Sequence, residues 1–398
     1  MKEQVADFNV MEEKDEVIGS SGPAFEEIVP IIRPNLPDWE PVRDRLESIY
    51  RSKMLTNHKT VEELEKKVAD FIGVRNAVAL SSCTSGLILL MKALGITGEV
   101  IVPSFTFSAT GHAIFWAGAK PVFVDCSYRD WNISVESVLA AVSDDTEAIL
   151  GVHIFGNPAP VAALEEVAEE LGIPLIFDAA HGFGAMMDEK RIGAFGKAEV
   201  FSMSPTKLIT GGEGGILTTD DDALAEDIRY MRNYGNRGDY DCFTAGLNAR
   251  MPEFNAAMIL ESIELVDPEI NERSRLAALY RKELGGIDGI SFQDIPRGCR
   301  HSWKDFTIAV DPSIFGIDRD RLHDLLLEQN IQTRKYFYPP LHRQSAYKDL
   351  EHRSVNLTFT EWLTKNVLTL PLYSHLKETG IKRIAETIRK IHKNAGND

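Results

Sequence analysis

The sequence predicts an α/β protein in two parts: a large domain on a mostly parallel central sheet flanked by helices, and a smaller C-terminal α/β domain. Three observations carry this expectation. Between Val61 and Asp178, short runs rich in Val, Ile and Leu alternate with segments of helical periodicity, the pattern of doubly buried strands joined by crossover helices. Beyond about residue 220 the alternation gives way to long helical stretches and one further strand. Finally, 398 residues are too many for one simple core.

The elements follow in order. Residues 1–28 are acidic and lack periodic apolar positions, so they are expected to form a mobile arm. "VEELEKKVADFIGV" from Val61 is an amphipathic helix. Then "NAVALSS" is a strand, "TSGLILLMKALGI" a helix, "EVIVPS" a strand, "SATGHAIFWAGA" a helix and "KPVFVD" a strand. "VESVLAAVS" is a helix, "EAILGVHIF" a strand, "PVAALEEVAEELG" a helix and "IPLIFDAA" a strand. "DALAEDIRYMRNYG" and the stretch from "EFNAAMILES" to "ALYRKELGG" read as long helices, and "HSWKDFTIAV" as a strand. The large domain is placed at 29–265 and the small one at 266–398. No repeat or low-complexity tract interrupts them.

Composition excludes several classes of partner. A formal charge of -17 disfavours nucleic acid and anionic membrane, which require basic patches. The four cysteines (Cys83, Cys126, Cys242, Cys299) are far apart, with no CxxC pair and no secretion signal. Reduced thiols in a cytoplasmic protein are the expectation, with no metal site. Apolar runs such as "EAILGVHIFG" are too short to span a bilayer.

Four segments carry chemistry. "SSCTSG" (81–86) opens a helix with small hydroxyl residues, which suits an anion such as phosphate; plain N-capping by Ser82 or Thr84 explains it equally well. "PSFTFSATGHAI" follows a strand and offers phenylalanines that could stack on a flat ring or simply pack in the core. In "IFDAAH" the carboxylate of Asp178 ends an apolar strand, a position that demands a cation or strong donor. A protonated ring nitrogen would satisfy it, as would an arginine, and His181 follows three residues on. "FSMSPTKLITGGEGG" holds Lys207 between a turn and a glycine run, the wrong order for a nucleotide phosphate loop. A partly desolvated lysine has a lowered pKa and can condense with an aldehyde, and the glycines would let the backbone pass close under a bound ring. Phosphate cradle, ring stack, pyridinium partner and reactive amine are together what pyridoxal 5'-phosphate requires.

These blocks, with "GLNARMPEFNAAM" and "YFYPPLHRQSAY", resemble the DegT/DnrJ/EryC1/StrS sugar aminotransferases, within the fold-type I pyridoxal-phosphate enzymes, over roughly residues 30 to 390. The resemblance implies that Lys207 forms the covalent link to the cofactor and moves protons. It implies that Asp178 pairs with the pyridinium nitrogen, His181 contacts the phenolic oxygen, and Phe107 stacks on the ring. Thr84 and Ser85 would hold the phosphate through backbone N–H groups, and Ser202 through its hydroxyl. Family members are dimers with shared sites, which gives Asn248 or Arg250 the role of completing the partner's site. The implied reaction moves an amino group from glutamate or glutamine to a keto-sugar, nucleotide-linked, in amino-sugar biosynthesis. "TGGEGG" is closer to the form common in members acting at C4 than to the one common at C3.

Cys83 stands where the family often has Gly or Ala, and "SPTK" lacks the aromatic or histidine often found before the lysine, near the sugar. Two rival readings come from the same cofactor. A branch that dehydrates keto-sugars carries histidine at the lysine position, which Lys207 contradicts. A non-catalytic cofactor-binding regulator finds no support, because lysine, aspartate and ring aromatic are all present.

Overall fold

A computed structural model describes residues 22–395. Its centre is an eight-stranded sheet. Five strands lead in chain order: β1 (Asn76–Leu80), β2 (Glu99–Pro103), β3 (Lys120–Val124), β4 (Thr146–Val152) and β5 (Leu175–Asp178). Strands Ala198–Ser202, Gly215–Thr219 and Arg353–Ser354 complete it. From one edge the order is β1, Gly215–Thr219, Ala198–Ser202, β5, β4, β2, β3, Arg353–Ser354. Only Gly215–Thr219 runs against its neighbours, so the sheet is mostly parallel, as the alternating pattern requires.

Successive side chains leave opposite faces of a strand, and here both faces are buried. Val100 and Val102 of β2 join the core under the helices that follow β1 and β2, whereas Ile101 joins the core on the other face. That arrangement explains runs such as "EVIVP", apolar at consecutive positions rather than alternate ones. Helix α1 (Trp39–Ser52) and helix α2 (Lys59–Ile72) precede β1; helix α3 (Cys83–Ala93) follows it, and helix α4 (Ser108–Ala117) follows β2. The in-register pair Val152↔Asp178 aligns the carboxyl ends of β4 and β5, and Asp178↔Val200 sets strand Ala198–Ser202 two residues further on, along the edge where open α/β sheets collect ligands.

A second core lies on a three-stranded antiparallel sheet, Ile290–Phe292, Phe306–Val310 and Val367–Leu370. Helices Val266–Leu284, Arg319–Glu328 and Glu378–Ala395 cover it. A 3-10 turn at Ile263–Leu265 breaks the long helical stretch from Glu253. Strand Arg353–Ser354 crosses back to pair with β3.

Three expectations need adjustment. The arm expected over 1–28 ends earlier: Phe25 and Val29 are buried in the second core, the Ala24 N–H donates to Gln329 Oε1 at 2.9 Å, and Val29 pairs with Ile331. The acidic composition hid two apolar anchors; residues 1–21 lie outside the described residues. Second, "HSWKDFTIAV" becomes a strand only at Phe306; residues 301–305 are irregular, with Trp303 at φ 53°. Third, "GILTT" is a strand that the sequence pattern did not mark. Among the described residues no helix is long and apolar enough to cross a membrane.

Candidate active site

Asp178 ends β5 almost fully buried, 5 % exposed. Its Oδ2 accepts a hydrogen bond from Thr110 Oγ1 at 2.7 Å and its Oδ1 one from the Ala180 N–H at 3.0 Å. No cation pairs with it among the described residues, so its remaining lone pairs stay available. Cys83 Sγ lies 3.8 Å from Oδ1 and 3.3 Å from the Val200 carbonyl; burial, and then the Asp178 charge, push this thiol well above its ordinary range.

Lys207 sits on a loop whose ends are tied together. The Met203 N–H donates to the Gly214 carbonyl at 2.9 Å, while the Thr210 hydroxyl and the Gly211 N–H both donate to the Met203 carbonyl. Leu208 and Ile209 drop into the core beside it. The Lys207 Nζ has no hydrogen-bond partner among the described residues. Burial, followed by the charge of Lys304, lowers its pKa to about 8, against opposing pulls from Asp178, Cys83 and Asp305. His181 is likewise lowered, well below its ordinary range, by burial and then by Lys207 and Lys304, so its ring is neutral. Its Nδ1 is buried without a partner.

At the other end of the site, Ser82 and Ser85 form a reciprocal capping box at the start of α3. Ser85 is therefore occupied: its N–H donates to Ser82 Oγ at 3.1 Å, and its hydroxyl donates to the Ser82 carbonyl at 2.9 Å. The backbone N–H groups of Cys83 and Thr84 have no partner among the described residues and emerge at the positive end of the helix dipole. Beneath them runs the strand from Gly215, where a Cβ would fall 2.4 Å from the Ser82 carbonyl carbon and oxygen. Such close approach is the use this glycine has: it seats the strand under the helix start. Ser202 pairs with Gly215 across the sheet, and its hydroxyl lies 3.3 Å from that of Ser204.

Phe107 precedes α4 and leaves 57 % of its surface exposed, unusual for a phenylalanine beside a buried carboxylate's anchor. The two remaining candidates stand apart. Asn248 and Arg250 flank the end of β1, where Arg250 bridges Leu80. The Arg250 side chain donates to Asn248 and Asn233, each at 3.1 Å, and not to the Lys207–Asp178 group.

An amine held partly neutral, an unpaired carboxylate, a neutral imidazole and unpaired N–H groups thus converge at the carboxyl edge of the sheet. The sequence profile of the DegT/DnrJ/EryC1/StrS aminotransferases matches residues 40–389. The chain belongs to that family. The aminotransferase is 32 % identical over 366 residues to the Escherichia coli dTDP-4-amino-4,6-dideoxy-D-glucose transaminase, covering 91 % of this chain and 98 % of that one. It is 33 % identical over 330 residues to a UDP-N-acetyl-3-dehydro-alpha-D-glucosamine 3-aminotransferase of Acidithiobacillus ferrooxidans, covering 82 % and 87 %. Among solved structures, DesI in the presence of its TDP-sugar product superposes with a TM-score of 0.89 at 37 % identity, covering 94 % of this chain and 96 % of that one.

Enzymes of this family depend on pyridoxal phosphate, and the aminotransferase's residues fit it. The partnerless Lys207 amine matches an aldehyde, the orphaned His181 nitrogen a phenolic oxygen, and the free N–H groups of Cys83 and Thr84 a phosphate.

Sequence reasoning missed two features. Lys304 and Asp305 form a buried ion pair, with Nζ at 2.8 and 2.9 Å from the two carboxylate oxygens. Ser302, just before them, donates to the His181 carbonyl at 2.6 Å, so this segment of the second core borders the site. The other omission is Thr110. A third constellation misleads: Ser104 Oγ, His342 and Glu361 are linked at 2.7 and 2.8 Å, yet Ser104 is fully buried. It staples two segments and cannot serve as a nucleophile.

Proposed function

We propose that the aminotransferase aminates a nucleotide-linked keto-sugar at C4, with glutamate or glutamine as the donor. The placement of Lys207 supports this most directly: a partnerless, partly desolvated amine beside a cation-seeking carboxylate. The choice of C4 rests on "TGGEGG" and on the 4-amino sugar in the name of the E. coli relative.

Pyridoxal phosphate, when bound, supplies an aldehyde to carry the nitrogen and a ring to take up electrons. The residues of the chain do the rest. The burial that lowers the Lys207 pKa to about 8 in the cofactor-free chain favours a neutral Nζ, which would accept the proton from the substrate carbon and return it on the far side of the transfer. Asp178 would keep the ring nitrogen protonated, and neutral His181 would offer an N–H to the phenolic oxygen. Cys83 and Thr84 N–H groups and the Ser202 hydroxyl would hold the phosphate, and Phe107 would cover the ring. Asn248 and Arg250 complete the site of a second copy. Exposed Trp39, Tyr50 and Trp116 favour such a dimer, since large aromatic side chains are enriched at interfaces.

Mixing the purified holoenzyme with glutamate should bleach its visible absorbance and release 2-oxoglutarate, and Lys207→Ala should abolish the covalent link. A band indifferent to both glutamate and glutamine refutes the proposed donors. The A. ferrooxidans relative, named for amination at C3, favours that carbon as a second reading.

A further inference from the structure

We propose that Thr110 is a positioning residue for this reaction, acting through Asp178. The proposal rests on the amination function proposed for the same site. The Thr110 hydroxyl, fully buried, donates to Asp178 Oδ2 at 2.7 Å and lies 3.0 Å from the Thr106 hydroxyl, itself buried. A threonine in a helix usually returns its hydroxyl to the carbonyl four residues back. Here it meets the hydroxyl of that residue and reaches out of the helix to the carboxylate.

The other contacts of Asp178 cannot replace it. Oδ1 holds the Ala180 N–H at 3.0 Å, and the Cys83 thiol lies nearer the Val200 carbonyl than the carboxylate. With donors on both oxygens the carboxylate plane is fixed; with Ala180 alone it can turn about a single bond. The turn is itself braced. At Gly111 a Cβ would fall 2.2 Å from the Tyr347 hydroxyl, so α4 is pressed directly against that side chain. Phe107 opens the same turn, and its carbonyl accepts the Thr110 N–H at 3.2 Å. One turn of chain thus presents the aromatic face and aims the carboxylate.

The test compares Thr110→Val and Thr110→Ser with wild type by three measurements. These are the pyridoxal-phosphate Kd of the apoenzyme, the pH titration of the holoenzyme's visible absorbance, and the apoenzyme Tm. Free and bound protein both lose this bond, so only the loosened aim of Asp178 reaches the Kd: Thr110→Val should weaken cofactor binding by up to about tenfold, the low end of what a hydrogen bond to a charged group is worth. It should also move the titration to higher pH, because a ring-nitrogen charge held less firmly by Asp178 would withdraw fewer electrons, through the ring, from the Lys207-linked nitrogen. Thr110→Ser, which keeps the hydroxyl, should restore both, whatever either substitution does to Tm. Wild-type Kd and titration in Thr110→Val overturn the proposal, as does equal impairment in Thr110→Ser, which would assign the effect to the methyl group. A wild-type protein that shows no cofactor absorbance overturns the reading of the site and this proposal with it.

Discussion

Raising the pH of the cofactor-free protein through 8 should switch on the nucleophilicity of Lys207. An amine attacks only when neutral. A pKa lowered from 10.5 to about 8 raises the neutral fraction at pH 7 from about 0.03 % to about 9 %, roughly a 300-fold gain. Trace labelling with an uncharged acylating agent, normalised to a reference amine and read by mass on the Lys207 peptide, measures it. The labelling rate should climb about tenfold per pH unit and level off above 8. Lys304→Gln removes the neighbouring positive charge that adds to burial in lowering this pKa. The plateau should therefore move upward only modestly, because burial, the leading cause, is untouched. A rate that rises without a break to pH 10 in the wild type would refute the desolvation argument.

Two further outcomes follow from the same geometry. Lys207→Met should stabilise the apoenzyme at pH 7, by at most about 3 kcal/mol for a shift of this size. The sign follows from the lowered pKa: the unfolded chain binds the extra proton between pH 8 and 10.5, so wild-type stability recovers as pH rises through that window and the advantage of the variant fades. Thermal unfolding at pH 7 and pH 10 checks both. Gly215→Ala drives a methyl into the Ser82 carbonyl and the Cys83 N–H, 2.4 to 2.5 Å away; such overpacking costs about 1–3 kcal/mol. It should also weaken inorganic phosphate binding to the apoenzyme, and an unchanged Tm would contradict the close approach.

Much of the site was legible because burial makes some residue types conspicuous. An aspartate ending a strand as apolar as "PLIFD" needs a partner, and that need alone marks out Asp178. The helix start at "SSCTSG" was equally readable, although sequence could not divide its labour: Ser82 and Ser85 spend their groups on each other, and the free donors fall to Cys83 and Thr84. The glycines after Lys207 were expected under a bound ring. Gly215 instead passes under α3, and Gly211 packs against the Asn255 carbonyl, because a close approach reveals only that something is near. Lys304–Asp305 stayed hidden, since adjacent opposite charges are ordinary on a surface and only the fold buries them. Thr110 carried no signal at all: a threonine in an apolar helix looks the same whether it serves the backbone or a carboxylate.

The central claim is amination of a sugar, and one experiment addresses it directly. Purified holoenzyme is supplied with glutamate or glutamine carrying heavy nitrogen at the α-amino group and with a panel of nucleotide-linked 4-keto and 3-keto sugars. The products are then read by mass and by the position of the label. The account predicts label at C4 of a nucleotide-linked sugar, with 2-oxoglutarate or its amide formed in equal amount. Label at C3 would contradict the assigned carbon, and no labelled sugar from any member of the panel would contradict the account itself.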